Sequence, residues 1–274
     1  MTWTEQDIRD LTQHGRQLRR DVVTMIHLAG DGHPGPSLSI ADLVTALYFR
    51  VMRVKPEDPA WEGRDRFILS KGHACPALYG ALARRGYFSP DLLPTLRSLG
   101  SILQGHPDMN KTPGVDSTSG SLGNGISIGL GMTLAGRVNQ QSYFTYVIAG
   151  DGEIQEGIVW EAAMAAAHYR AGTLIVFVDH NGYQSGGPVA SISGLGAILP
   201  KWAAFGWHCQ EIDGHDYRAI LTAVALAQAE TERPSCILAH TKKGKGIPFM
   251  EADNSWHKRI PTRAELDEAL AVLV

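Results

Sequence analysis

The residues best suited to chemistry lie in two short loops. Gly150-Asp151-Gly152-Glu153 closes the apolar run SYFTYVIAG, and Asn181 follows the next such run, TLIVFVD. That interval is one strand–helix–strand crossover, so the two runs can lie side by side as parallel strands. Their carboxyl ends would then bring Asp151 and Asn181 together. A carboxylate, a side-chain amide and backbone oxygens are hard ligands suited to Mg²⁺, which prefers octahedral geometry and bridges phosphate oxygens. Gly150 and Gly152 let backbone N–H groups approach a diphosphate, and the helix that follows offers its positive N-terminal end. Taken alone, the glycine–aspartate–glycine triplet also reads as a plain turn after a strand. Its spacing to Asn181, with the breaker run NGYQSGG behind, favours a ligand site.

A second group consists of histidines in glycine-rich loops. His33 lies in GHPGPSLS, His73 in SKGHACPALYG and His106 in LQGHPDMNKTPGVDSTSGSLGNGIS, while His257 lies in NSWHKR beyond TKKGKG. Imidazole donates hydrogen bonds to phosphate or alkoxide and exchanges a proton near neutral pH. Any one of them could be an idle loop residue; together they read as a constellation. His14, His27, His168, His180, His208, His215 and His240 sit in helices, at strand ends or beside acidic residues, and read as structural.

The elements that must position these groups alternate along the chain. Asp7–Ala29 carries apolar residues at helical spacing and ends in the breaker cluster AGDGHPGPS. Ser39 is the expected N-cap of a second helix running through Phe49, with Asp42 in its first turn. RDRFILSKGHA reads as a short buried strand and a loop, followed by a helix over Pro76–Arg85. SYFTYVIAG and TLIVFVD read as fully buried parallel strands, with a helix over GIVWEAAMAAAHYR between them. HCQEI and SCILAHT are further strands, separated by a helix from Asp216 to about Thr231. Strands separated by helices predict an α/β fold with a parallel sheet covered on both faces, its ligands beyond the carboxyl ends of the strands. The segment Leu99–Asp116 is long for a structureless connection, and such loops are often functional. With no repeat and no long linker, the chain reads as a single domain over residues 1–274.

Composition narrows the class. The 274 residues are 44% hydrophobic and 19% charged, enough for one large α/β domain with a full core. A net charge of -3 with scattered Lys and Arg gives no reason to expect nucleic acid or an acidic membrane as partner. Cys75, Cys209 and Cys236 are far apart and odd in number, which fits buried apolar roles in a reducing compartment. The N-terminal MTWTEQDIRD is polar and acidic, and no apolar run nears the ~20 residues of a membrane span. A soluble cytoplasmic protein is the expectation.

GDGEIQEG with the distal asparagine, together with GHPGPSLS, SKGHA and the GHPD loop, resembles the transketolase family of thiamin-diphosphate enzymes over nearly the whole chain. The resemblance implies that Asp151 and Asn181 bind Mg²⁺ (or Ca²⁺ or Mn²⁺ in its place) through side chains, with the Tyr183 carbonyl completing the protein's share. It implies cofactor contacts from His73, Gly120, Leu122, Gly150, Gly152, Glu153, Asn181 and His257. His33 and His257 would lie near the reactive thiazolium carbon and the substrate hydroxyls, and His106 would contact the donor sugar. Ser121 stands where many relatives carry proline. Ser185 replaces a bulky aliphatic residue that usually supports the thiazolium ring. The family equivalent of Glu156 lies at a subunit interface, in a proton-relay path toward the partner's catalytic glutamate; as a residue, Glu156 also reads as an acid favoured by a helix N-terminus.

The reaction implied is transfer of a two-carbon ketol unit from a ketose (phosphate) to an aldose. In that family the glutamate that activates the cofactor, the pyrimidine pocket and the arginine that holds substrate phosphate belong to a second domain. No second set of strand–helix units follows here, so a partner chain carrying that domain is expected, in an α₂β₂ heterotetramer; a truncated chain or decayed gene is the other explanation. The closing amphipathic stretch PTRAELDEALAVLV favours a natural end. Rival readings are a deoxyxylulose-phosphate-synthase-like or α-ketoacid-dehydrogenase-like chain, a component loading two-carbon units in secondary metabolism, and a non-catalytic regulatory subunit. Disfavoured is a nucleotide-binding oxidoreductase, since no GxGxxG follows a first strand.

Overall fold

The apolar runs form the strands of a sheet. The computed structural model describes residues 3–274. β1 (Arg66–Leu69), β2 (Thr145–Gly150) and β3 (Leu174–His180) are followed by a short antiparallel pair, β4 (Tyr183–Gln184) and β5 (Gly187–Pro188), and then by β6 (His208–Asp213) and β7 (Ser235–His240). Five of them form one parallel sheet in the order β1-β2-β3-β7-β6, with Val147 opposite Val176 and Val176 opposite Cys236. The period-two alternation of a strand divides the core. Tyr146, Ile148, Ile175, Phe177 and Ile237 face one helical layer, and Val147, Ala149, Val176, Val178 and Leu238 face the other.

The first layer contains α1 (Glu5–Ala29), α2 (Pro34–Ser39), α3 (Ala41–Ala46) and α4 (Cys75–Arg85); the second is built on α5 (Asn124–Val138) and α6 (Gly157–His168). Two short helices, α7 (Val189–Ser193) and α8 (Ile198–Ala204), precede β6. Then α9 (Tyr217–Ala229) and the C-terminal α10 (Arg263–Val272) join the first layer. Among the described residues no helix is long and apolar enough to cross a membrane. Cys75 and Cys236 are buried, Cys209 is half-buried, and none is bridged.

Three expectations change. Thr4 and Asp7 form a capping box, so α1 begins at Glu5 rather than Asp7. Ser39 caps no second helix: it is the last residue of α2, the chain breaks at Ile40, and α3 runs on into a π-helical turn over Leu47–Val51. Pro34 at the first position, pre-set for helical φ, starts α2 inside what reads as a breaker cluster. Finally, α5 starts within TSGSLGNGIS and runs on through a stretch for which no element is expected. Its glycines are poor helix formers, but they let the helix lie close: a Cβ on Gly129 would come within 2.8 Å of Val147, and one on Gly136 within 2.8 Å of Tyr143.

One buried ion pair fastens the first layer. Arg19 donates from both terminal nitrogens to Asp42, at 2.9 and 2.5 Å, while His215 and the Tyr217 hydroxyl each reach the same carboxylate at 2.8 Å. Burial pushes the Asp42 carboxyl up, but Arg19 and His215 outweigh it and hold it well below the usual carboxylate range. Its stabilisation is therefore present above the ordinary carboxylate pKa and is lost as pH falls through the depressed value. Arg19→Met leaves the carboxylate without its main counter-charge and should cost about 3–5 kcal/mol at neutral pH, read by urea denaturation. The deficit should shrink in acid, where Asp42 is protonated; a pH-independent deficit contradicts this account.

Candidate functional site

The carboxyl ends of β1, β2, β3 and β7 deliver their following residues into one crevice. At its floor lies Asp179, the last carboxylate of the apolar run TLIVFVD and fully buried. It accepts from Lys71 Nζ at 2.5 Å, Ser39 Oγ at 2.8 Å, Asn181 Nδ2 at 2.7 Å and the Thr241 hydroxyl. Burial raises this carboxyl, but the Lys71 ammonium and the hydroxyl donors prevail and keep it below the usual range. Lys71, itself buried, also donates to the Pro36 carbonyl at 3.2 Å. The loops after β1, β3 and β7 are thus tied to α2 through one side chain.

Asp151 and Asn181 are brought together as the strand spacing predicts. Asp151 accepts from the backbone N–H of Gly152 at 2.8 Å and of Gly182 at 2.6 Å. Asn181 turns its amide oxygen onto the Tyr183 N–H at 3.0 Å. Burial, and then the nearby Asp179 charge, push the Asp151 carboxyl up to about 6 despite those backbone donors. Gly150 is buried and Gly152 half-buried; a Cβ on Gly152 would come within 2.7 Å of Gln184. Among the described residues no three His, Cys, Asp or Glu side chains are grouped to hold a metal by themselves.

Glu153 does not face the crevice as a free ligand. One oxygen accepts from Ser70 Oγ and the Gly123 N–H, the other from the Gly150 N–H at 2.9 Å. With both oxygens engaged, it fastens the loops after β1 and before α5 to the end of β2. Its carboxylate is thereby committed to a structural role.

The histidines at 33, 73 and 257 meet in a triangle, with ring centroids 5.2 Å (His33–His73), 5.4 Å (His33–His257) and 5.5 Å (His73–His257) apart. His33 precedes α2, His73 follows β1, and His257 ends a 3₁₀ turn over Asn254–His257. All three are held neutral. Burial, then Arg97 and Lys258, brings His33 down to about 4; burial, then Lys243, brings His257 to about 3; burial, then Lys71, takes His73 far below its usual value. His106 is lowered by burial and then Arg97, and its ring lies near Gly72 and Gly120. His33 Nδ1 is buried without a hydrogen-bond partner.

Two site groups escape a reading of motifs alone. Lys71 sits beside His73 in SKGHA, and Lys243 lies in TKKGKG. Lys243 is 1% exposed and donates to Asn254 Oδ1 at 2.6 Å and His257 Nδ1 at 2.9 Å, but it meets no carboxylate within ion-pair distance among the described residues. Burial, then the Lys71 charge, lowers it to about 8. The signal lies in the sequence: a lysine among glycines directly after a buried strand is a cation with nowhere obvious to go. The structure places Gly120, Leu122, Glu156 and Ser185 on the exposed rim. Glu156 precedes α6 without a side-chain capping bond, so the helix-terminus reading finds no hydrogen bond here. The Ser185 carbonyl accepts from Asn254 Nδ2 at 3.2 Å.

Comparisons with known proteins agree with this geometry. Residues 9–269 match the family model described as transketolase, thiamine diphosphate binding domain. The chain is 45% identical over 270 residues to a 6-deoxy-6-sulfo-D-fructose transketolase subunit from Clostridium sp. (strain MSTE9), covering 98% of each chain. It is 37% identical to an apulose-4-phosphate transketolase subunit from Phocaeicola vulgatus, covering 96% of this chain and 93% of that one. A solved transketolase from Pichia stipitis superimposes with a TM-score of 0.89 at 31% identity; 95% of this chain is covered but only 40% of that one. With its parallel sheet, its crevice and these relatives, the chain belongs to the transketolase family, as a member of its thiamine-diphosphate-binding domain.

Proposed function

We propose that this chain, acting as one domain, is the diphosphate-binding subunit of a split transketolase that moves a two-carbon ketol unit from a ketose to an aldose. The observation that carries the reading is a buried carboxylate and a buried ammonium in one crevice, neither with an oppositely charged side chain within ion-pair distance among the described residues. Asp151 is held by the Gly152 and Gly182 N–H groups, and Lys243 donates to Asn254 and His257. A divalent cation together with a diphosphate would supply each with an opposite charge. In this reading Asp151, Asn181 and the Tyr183 carbonyl hold Mg²⁺, or Ca²⁺ or Mn²⁺ in its place. Gly150, Gly152, His73 and His257 would hold the diphosphate, with Gly120 and Leu122 toward the crevice mouth.

Bound there, thiamin diphosphate supplies the electron sink that lets a carbon–carbon bond beside a carbonyl break and re-form. The chain's own part is positioning. Neutral His33, His257 and His106 would meet substrate hydroxyls without adding charge, His257 as an Nε2–H donor because its Nδ1 accepts from Lys243. His73 would orient the cofactor's phosphates as a neutral donor, and Lys243 would supply positive charge beside them.

The crevice is open on the side of Leu122 and Glu156, where the second wall would come from a partner carrying the pyrimidine pocket and the activating glutamate. Exposed Met164 on α6 and Ile192 on α7, which lies beside the start of α6, support a further chain covering this side, in an α₂β₂ assembly. The subunit names borne by the full-length relatives from Clostridium and Phocaeicola support the same division.

Asp151→Ala should abolish Mg²⁺-dependent binding of thiamin diphosphate in a calorimetric titration; near-normal affinity would refute the metal assignment. Lys243→Met should weaken the same titration by about tenfold, the effect of one charge-assisted hydrogen bond. Capture of the chain from its native lysate, with Mg²⁺ and thiamin diphosphate present, should recover a second chain and stoichiometric cofactor by intact mass and fluorescence. Recovery of the chain alone and without cofactor contradicts the split-enzyme reading.

A further inference from the structure

The carboxyl edge of the sheet carries a second group of titratable side chains that the cofactor crevice does not use. Strand register sets His180, the last residue of β3, opposite His240, the last of β7. Val178 and Leu238, two positions earlier, belong to the core on the side of α5 and α6. The alternation of a strand therefore sends both histidines to that side and Asp179 to the side of α2, where it meets Ser39. Past the end of the core the rings reach solvent: His180 is half-buried and His240 exposed. Their Nδ1 atoms lie 3.2 Å apart, with ring centroids 5.1 Å apart.

Glu211 on β6 fixes how His240 stands, its carboxylate lying 2.5 Å from Nε2. An ionised carboxylate only accepts, so Nε2 carries the hydrogen, and in the neutral ring the Nδ1 lone pair is aimed at His180. Glu211 meets no lysine or arginine within ion-pair distance among the described residues, which leaves its charge to the histidine. A carboxylate on the far nitrogen of an imidazole is the arrangement that orients a metal-binding histidine and raises its basicity. The spacing fits as well. A tetrahedral ion with bonds of ~2.0–2.1 Å spans two nitrogens ~3.3–3.4 Å apart, so the rings need to part by only ~0.1–0.2 Å.

The geometry points to a transition-metal site in which His180 Nδ1 and His240 Nδ1 bind Zn²⁺ or a cation of similar softness, Glu211 holds His240 from behind, and water fills the remaining positions. The hydrogen that the two Nδ1 atoms share without the ion moves to His180 Nε2 when it binds. Paired imidazoles select such ions, whereas oxygen donors like those of Asp151 and Asn181 suit Mg²⁺, so the two sites differ in kind although residues 180 and 181 are adjacent. The bound ion staples β3 to β7 at the strand ends that lead into Asn181 and Thr241. Because it favours the folded arrangement, it raises stability.

The test titrates Zn²⁺ into the full chain, held in excess Mg²⁺, against a chromophoric chelator. One Zn²⁺ should bind per chain. His180→Asn and His240→Gln should each abolish that binding, and Glu211→Gln should weaken it about tenfold, the low end of what such a carboxylate is worth. Zn²⁺ should raise the melting temperature of the unmodified chain and leave that of His180→Asn and His240→Gln unchanged. Histidine ¹⁵N spectra of the unmodified chain need no variant to fold: Zn²⁺ should shift both Nδ1 resonances and leave both Nε2 atoms protonated. The site is overturned if His180→Asn and His240→Gln bind Zn²⁺ as tightly as the unmodified chain, or if the resonances of His33, His73 and His257 move instead. It is equally overturned if both Nδ1 resonances stay in place at saturating Zn²⁺, which makes the pair an imidazole–imidazole hydrogen bond and nothing more. Neither cofactor nor sugar enters the titration, so its outcome is independent of the transketolase reading.

Discussion

A carboxylate without water must be given partners, and Asp179 is given four from four different segments. Lys71 comes from the loop after β1, Ser39 from α2, Asn181 from the turn after β3 and Thr241 from the end of β7. A buried, partly satisfied charge would cost more than the loops could supply, so the four segments are held to one geometry or the fold loses it. Fixing Lys71 fixes His73 two residues later; fixing Asn181 fixes Gly182 and hence the backbone donor to Asp151. The position of α2 sets His33 at its entrance. Asp179 therefore acts as the common anchor of groups that never touch it.

Its charge also reaches the next carboxylate. Asp179 is kept ionised by Lys71, and Asp151, buried close by with only backbone donors, takes the electrostatic consequence. One site thus holds, in neighbouring strands, a carboxylate with a cationic partner and one whose donors are backbone N–H groups alone.

Much of this is legible from residue type and spacing, and what is not has physical causes. The strands are readable because a fully buried parallel strand must be continuously apolar, as TYVIAG and LIVFVD are. The meeting of Asp151 with Asn181 follows from strand adjacency. The triangle of His33, His73 and His257 does not, since residues so far apart in sequence are joined only by tertiary packing. Glu153 misleads because a motif records which residue is present but not which way its oxygens are spent. α5 is hidden because its glycines argue against a helix locally, while their lack of side chains is what permits contact with β2 and Tyr143. Ser39 has the propensity of a helix start, but its hydroxyl is committed instead to Asp179.

The charge pattern of the crevice also limits what its histidines can do. Three imidazoles with centroids within 5.5 Å cannot all be protonated, and burial beside Lys71 and Lys243 discourages even one. They are consequently a neutral patch between two charged zones: the Asp151, Asp179, Lys71 and Lys243 floor on one side and the Asp31, Arg97 and Lys258 rim on the other. Neutral rings keep both donors and acceptors in play, whereas imidazolium offers donors alone. A reacting centre whose own charge appears and disappears is best served by surroundings that hydrogen-bond in either state and do not trap one of them. The cations that would trap it are kept at the two ends.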